Sequence, residues 1–108
     1  MATNYKVLGQ AVGTAALTTL YTVPAATEAV VSTISIANRG TAADTYRIAV
    51  RPDGESIENK HYLAYGASVP ANDTIALTLG VTMNANDVLS IYSAGNDLSF
   101  QAFGAEIS

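Results

Sequence analysis

Apolar and small polar side chains alternate along most of this chain. The pattern is clearest in the third apolar segment, where Val30, Ile34 and Ile36 fall on one face. Val31 and Thr33 fall on the other face, which is only lightly polar. Successive side chains of a β-strand point to opposite sides of a sheet, so this alternation predicts a strand with at least one buried face.

Similar segments recur at intervals of about ten to fifteen residues, separated by Gly, Pro, Asn and Asp. The predicted strands cover residues 5–10, 17–23, 28–38, 45–51, 61–65, 74–79, 87–94 and 98–106. This spacing predicts an all-β fold, an antiparallel β-sandwich of about eight strands with a jelly-roll or immunoglobulin-like topology. Hairpins are the simplest connection between such strands, and no segment has the length and composition of an amphipathic helix.

The same period of two assigns side chains to faces in the fourth strand. Tyr46, Ile48 and Val50 are predicted to point into the core. Arg47 and Arg51 then lie on the opposite face, towards solvent or a partner.

Two further strands carry informative apolar positions. In the sixth, Ile75, Leu77 and Leu79 form the predicted inward set. In the last, Phe100 is predicted to point inward, and Phe103, three residues further on, to point to the outer face. A large apolar residue on the outer face predicts that this part of the sheet is covered or contacts another chain.

Residues 1–108 are expected to form a single domain, with residues 1–16 as a short strand followed by a linker rich in Ala, Gly and Thr. Two interpretations of this segment are open. It is an ordinary first strand, or it is an arm that pairs with a sheet edge of a neighbouring subunit. The second interpretation places Tyr5 and Val7 among the candidate contact residues.

Composition argues for protein contacts and against nucleic acid. Hydrophobic residues make up 49% of the chain and charged residues 13%, and the net charge is -4. Five scattered cations provide no positive stripe that could displace counterions from a phosphate backbone, so no nucleic-acid partner is expected. A weakly charged surface rich in Ala, Thr and Ser favours close contact with other protein.

A membrane partner and disulfide bonds are also not expected. No apolar run is long enough to span a bilayer, and the first residues lack the basic and apolar halves of a signal peptide. We therefore expect a protein made in the cytoplasm with no membrane partner. The chain has no Cys, which excludes disulfides and thiolate metal ligands.

Candidate chemistry is sparse. His61 is the only histidine, and no sequence motif marks a serine or threonine as its nucleophilic partner. We read it as the polar tip of a strand and predict no catalytic residues, no cofactor and no metal site. Asp53, Glu55 and Glu58 lie in one loop and could offer carboxylates to calcium, but their spacing lacks the calcium-loop pattern and favours a solvated loop tip.

Tyr62 and Tyr65 could combine with Arg47 and Arg51 in an aromatic and basic surface. Tyrosine offers a large contact area with few torsions, and arginine offers a planar donor fork. Such a surface suits a subunit interface or a glycan platform.

The segments that carry a family resemblance are residues 20–25 (LYTVPA), 30–40 (VVSTISIANRG), 46–52 (YRIAVRP) and 98–107 (LSFQAFGAEI). In these segments the chain resembles small β-sandwich virion structural proteins of tailed bacteriophages, especially phages of cyanobacteria and other aquatic bacteria. The likeness extends from residue 17 to the end.

This resemblance implies a non-enzymatic protein of the virion, on the capsid surface in preference to the tail. The function it favours is that of a decoration or cement protein, commonly a trimer, that binds the major capsid protein or other virion proteins. The alternatives are a tail, neck or baseplate component, or a module that binds glycans on the host surface. The candidate interface residues are Tyr5, Val7, Arg47, Arg51, Tyr62, Tyr65 and Phe103.

Overall fold

The computed structural model describes residues 2–108, which form eight β-strands. The strands are β1 (Thr3–Val12), β2 (Thr18–Thr22), β3 (Glu28–Asn38), β4 (Asp44–Arg51), β5 (Tyr62–Val69), β6 (Thr74–Met83), β7 (Val88–Ser93) and β8 (Leu98–Ile107). Two 3-10 turns, Pro52–Gly54 and Asn59–His61, lie in the connection between β4 and β5. The predicted eight strands are confirmed. Among residues 2–108 no helix has the length and hydropathy needed to cross a bilayer.

The strands form two four-stranded antiparallel sheets that pack face to face. We call them the β1 sheet, with strand order β1-β8-β3-β6, and the β2 sheet, with order β2-β7-β4-β5. The pairs β1·β8, β2·β7, β3·β6 and β4·β5 are each hydrogen-bonded. A ribbon of paired strands rolled into two sheets in this way is a jelly roll. The immunoglobulin-like alternative is excluded, because that fold pairs several consecutive strands within one sheet.

The expectation of hairpins throughout is wrong. Only β4 and β5 are both consecutive and paired, and the other connections cross from one sheet to the other. Each crossing brings the apolar faces of both sheets onto a shared core. Gly, Pro, Asn and Asp occur both in hairpin turns and in connections that cross between sheets, so the local sequence does not distinguish the two kinds of connection.

The core lies between the sheets. Phe100, Ile34 and Ile36 of the β1 sheet and Ile48 and Ile91 of the β2 sheet are at most 1% exposed. Each such side chain contributes about 1.5–3 kcal/mol by leaving water. The rings of Tyr46 and Phe100 meet edge to face across the two sheets, with centroids 6.5 Å apart. This arrangement confirms the inward positions predicted for Tyr46, Ile48 and Phe100.

A bulge in β3 changes two of the predicted faces. The register of β3 with both neighbouring strands shifts between Val31 and Thr33, so one extra residue enters the strand. Val31, not Val30, is therefore fully buried, and Val30 lies on the outer face. Leu79 lies at the matching irregularity of β6 and is 41% exposed, so its predicted inward position is also wrong.

The first strand pairs with β8 of its own chain along its whole length, from Thr3 opposite Ile107 to Val12 opposite Ser99. In this structure β1 therefore has the pairing of an ordinary first strand, and not that of an arm on a neighbouring subunit. The linker that follows is held by backbone hydrogen bonds to β7 and β8. The backbones of Ala2 and Ser108 also hydrogen-bond to each other, so the two ends of the described chain lie side by side.

Candidate interaction surfaces

The seven candidate interface residues separate onto the two opposite outer faces of the sandwich. Tyr5, Val7 and Phe103 belong to the β1 sheet, and the other four belong to β4 and β5 of the β2 sheet. The other four are Arg47, Arg51, Tyr62 and Tyr65. The structure therefore offers two separate candidate surfaces.

The first surface is an apolar patch on the outer face of the β1 sheet. Tyr5 is 86% exposed and Val7 is 46% exposed. The strand register sets Tyr5 opposite Ala105 and Val7 opposite Phe103, so these side chains share one face. Val30 lies opposite Ala105 on the other side of β8. We call this set, with Ile107, the apolar patch.

Charge is almost absent from this outer face. The four strands of the β1 sheet contain only three charged residues, Lys6, Glu28 and Glu106. Lys6 and Glu106 pair with each other on the opposite side of the sheet, with Nζ and Oε1 3.0 Å apart. Glu28 alone shares the outer face, at one end of β3. The remaining outer positions away from the apolar patch are mostly Thr, Ser, Ala and Gln.

A depression of about 280 Å³ lies beside Tyr5 within the apolar patch. Its lining includes Val30, Gly104, Ala105 and Ile107. Gly104 is required here because a Cβ atom at this position would lie 1.9 Å from the carbonyl oxygen of Val30. The surface thus carries an exposed aromatic ring next to a hollow lined by small and aliphatic residues.

Glu106 ties the edge of the β1 sheet to the β2 sheet. Its Oε2 atom accepts a hydrogen bond from the hydroxyl of Tyr21 at 2.5 Å. This bond and the ammonium group of Lys6 hold the pKa of Glu106 below its ordinary value. Burial and the same carboxylate raise the pKa of Tyr21. The network fixes the edge next to the apolar patch.

The second surface is an aromatic corner on the β2 sheet. The guanidinium carbon of Arg47 lies 4.2 Å from the ring centroid of Tyr65 and 4.1 Å from that of Tyr92. Tyr62 meets Tyr65 edge to face at 4.9 Å. Because cation–π contacts on both faces occupy Arg47, it acts as a support for the rings. A depression of about 270 Å³, lined by Asn59, Tyr62 and Tyr65, opens beside them.

Arg51 is not part of this corner. Its Nε atom donates to Ser90 Oγ at 3.2 Å, and Nη1 donates to the carbonyl oxygen of Glu55 at 3.0 Å. These bonds hold the β4–β5 loop near β7, and Ser90 and Ala49 beneath it are fully buried. The aromatic and basic surface therefore contains Arg47, Tyr62 and Tyr65 but only one of the two predicted arginines.

His61 is a buried anchor of the same loop, so its interpretation as the polar tip of a strand is wrong. It is 5% exposed and ends the second 3-10 turn, before β5 begins. Its Nδ1 atom accepts a hydrogen bond from the backbone N–H of Glu58 at 3.0 Å. In the neutral ring Nε2 then carries the hydrogen and donates to Glu55 Oε1, 3.2 Å away.

Glu55, Glu58 and His61 bring potential metal ligands within 4.8 Å of one another. The hydrogen bonds explain this cluster without a metal, because Nδ1 already accepts a backbone hydrogen and an ion at Nε2 would displace the remaining ring hydrogen. Asp53, the third carboxylate of the predicted loop, lies outside the cluster. Among residues 2–108, the hydrogen-bond partners of the His61 ring are the backbone N–H of Glu58 and the carboxylate of Glu55, and no serine or threonine hydroxyl is among them.

Asp44 is a structural centre that the sequence does not single out. It is 6% exposed, and its carboxylate accepts hydrogen bonds from Ser93 Oγ at 2.9 Å and from the backbone N–H of Gly95 at 2.8 Å. The backbone N–H groups of Thr45 and Asp97 add two more. Burial acts to raise the pKa of Asp44, but these hydrogen bonds outweigh it and the pKa falls below its ordinary value.

A further depression, of about 350 Å³, lies at one end of the sandwich and includes Asp87 and Glu28 in its lining. The carboxylate of Asp87 is already engaged. Its two oxygens accept hydrogen bonds from the backbone N–H groups of Asp53 and Asn84, at 2.9 and 2.8 Å. Asp73 likewise accepts from Thr74. These contacts hold two turns in place.

Comparison with known proteins finds similarity of structure but no match of sequence. No protein-family model and no curated protein matches the chain. Among solved structures, it is similar to a chain in the structure of infectious bursal disease virus, Gx strain, with a TM-score of 0.53 and 11% sequence identity. The similarity covers 97% of this chain and 31% of the viral chain, so this chain spans about a third of that one's length. It supports a shared β-sandwich fold.

Proposed function

We propose that this protein is a non-enzymatic structural protein of a virus particle. Three observations support the proposal. The chain folds as a jelly roll similar to a chain from a virus structure. One outer face is broad, nearly uncharged and partly apolar, as expected of a surface that contacts protein. The only histidine is committed to holding a loop.

Within this class we propose a capsid decoration, or cement, protein of a tailed bacteriophage that binds the assembled shell and further copies of itself. The sequence resemblance to phage virion proteins favours this choice. A subunit that binds only the assembled shell lowers the free energy of that state by RT ln(1 + [L]/Kd), about 4 kcal/mol at a thousandfold excess over Kd. Repetition over a lattice would multiply this stabilisation.

The nearly uncharged outer face of the β1 sheet is the main support for the proposal, and the number of copies per particle tests it. Quantitative mass spectrometry of purified particles should find the chain in hundreds of copies, and cryo-electron microscopy should locate it on the capsid surface. About a dozen copies or fewer, located at the tail or neck, would replace decoration by a tail, neck or baseplate role. Absence from purified particles would refute the virion function itself.

A host-surface glycan module is a second candidate, favoured by the aromatic corner. Exposed tyrosine rings with the amide of Asn59 beside them suit a sugar ring, which stacks on an aromatic face and forms hydrogen bonds at its rim. Host polysaccharide should then bind the protein, and Tyr65→Ala should abolish binding while Tyr5→Ala, on the opposite sheet, leaves it intact. Equal binding by both variants would exclude the corner as a glycan site.

A further inference from the structure

We infer that the apolar patch of the β1 sheet pairs with the same patch of a second copy of this chain, in a two-fold symmetric dimer. The inference rests on the proposed function, because it names the surface through which one structural subunit contacts another. It begins from the juxtaposition of a knob and a hollow. Tyr5 projects from the sheet at 86% exposure, beside the depression lined by Val30, Gly104, Ala105 and Ile107.

Such a surface is self-complementary. In a two-fold interface a residue of one copy contacts a site on the other, and the reverse contact follows by symmetry. Tyr5 of each copy would enter the depression beside Tyr5 of the other. A tyrosine anchor in a pocket near the centre of the contact is the usual form of an interface hot spot.

Electrostatics favour a second copy as the occupant. Two copies that each carry a net charge of -4 repel one another unless the charges stay away from the contact. Glu28 is the only charged residue on the outer face of the β1 sheet, and it lies at the border of the apolar patch, opposite Ile107. The centre of the proposed contact, around Tyr5 and Ala105, is uncharged. Depletion of charge at the centre and exposed aromatic rings are the composition of an interface core. A highly charged partner would find no opposite charge here.

The whole outer face offers enough area for a dimer. Four strands spaced about 4.8 Å apart and about 33 Å long give a face of roughly 600 Å² per copy, or roughly 1,200 Å² for two. A specific interface needs about 1,000 Å² in total, so the contact must extend beyond the apolar patch onto the neighbouring uncharged positions of the same face. Sheets that pack face to face commonly align within about 30°, and the dimer would add a sheet contact of this kind.

Sedimentation equilibrium of the full chain tests the pairing, with Tyr5→Glu and Val7→Lys as disrupting variants. Both side chains point into solvent in the single copy, so circular dichroism and thermal unfolding of the isolated subunit should stay unchanged. The wild-type protein should be a dimer, and each variant should raise the dissociation constant at least about thirtyfold, the effect of losing one hot-spot residue. Tyr65→Glu, on the opposite sheet, is the matched control and should remain a dimer.

Three results would overturn the inference. They are a wild-type monomer at about 100 μM, a trimer or other assembly without two-fold pairing, and dissociation by Tyr65→Glu but not by Tyr5→Glu. All three concern the purified chain alone. If the purified chain does not form this dimer, the virion proposal is still tested separately by the number of copies on particles. Failure of the dimer inference and failure of the virion proposal are therefore distinguishable.

Discussion

Asp44 shows how a single buried carboxylate holds three parts of this fold. It begins β4, binds Ser93 at the end of β7, and binds the amides of Gly95 and Asp97 in the turn that leads to β8. These hydrogen bonds offset the cost of burying the charge. Removing the carboxylate would also leave its donors without a partner, which adds to the loss of stability. The residue therefore closes one end of the sandwich.

Replacing this carboxylate should destabilise the protein more than replacing an exposed one. Asp44→Asn keeps one acceptor oxygen but turns an amide group towards donors, so we expect a loss of about 2–3 kcal/mol in the free energy of unfolding. Urea denaturation measures this value. Asp73→Asn is the matched control, since its oxygen can still accept from Thr74 in an exposed turn, and it should cost under about 0.5 kcal/mol. Equal losses would contradict the role of Asp44.

The lowered pKa values of Asp44 and Glu106 predict acid sensitivity. Their ordinary values are 3.8 and 4.5, so on acidification the unfolded chain takes up protons before the folded chain does. The stabilisation is complete above the ordinary values and is lost as the pH falls through the lower folded values. Urea denaturation from pH 7 to pH 2.5 should show this loss. Glu106→Gln should reduce it, and an unchanged profile in that variant would contradict the assignment.

At the scale of the strands, the alternation of apolar and polar residues was enough to locate all eight, and β3 matches its predicted bounds. It failed where a bulge interrupts the alternation. The extra residue near Ser32 reverses the faces of Val30 and Val31, and no residue type in that segment marks it. The outward position of Phe103 could be predicted, since the β8 segment between it and Phe100 keeps its phase.

Gly104 provides a test of the close approach between β8 and β3. A methyl group there would have to displace the Val30 carbonyl, so Gly104→Ala should cost about 1–3 kcal/mol. Thermal or urea denaturation measures the loss. Ser99→Ala, at an outward position of the same strand, is the control and should change stability by less than about 0.5 kcal/mol. A stable Gly104→Ala protein would show that the two strands can separate locally at little cost.

The surfaces were only partly predictable at this scale. Tyr62, Tyr65 and Arg47 are brought together as expected, but not by the period of two alone. Tyr62 and Tyr65 are three residues apart, and the irregularity between them in the β4·β5 register places both rings on the outer face. Arg51 has the same phase as Arg47, yet it folds back onto the loop. The burial of His61 and the partners of Asp44 depend on loop paths and long-range turns, which no local pattern contains.

At the scale of the whole molecule, the jelly roll joins residues that are far apart in sequence. β1 pairs with β8, and β2 pairs with β7. Bringing such distant segments together costs chain entropy before their contacts can form. This cost slows folding. These long-range pairings set the strand order, which distinguishes a jelly roll from an immunoglobulin-like sandwich. The local sequence pattern does not contain them, so it left both topologies open.

This topology predicts slow refolding. After dilution from urea, the protein should recover its native tyrosine fluorescence over milliseconds to seconds, as other β-sandwich proteins do. Stopped-flow measurement checks the rate, and its dependence on protein concentration separates folding from association of subunits. Recovery within microseconds would contradict the dominance of non-local pairing.

The hydrogen bonds between Ala2 and Ser108 have a practical consequence for engineering. Because the two ends of the described chain are neighbours, a short peptide could join them into a ring without bending any strand. New ends could then be opened in the exposed part of the β4–β5 loop. A cargo fused at either end of the described chain would emerge from the same corner of the sandwich, so the choice between the two fusion sites has little effect on where it is displayed.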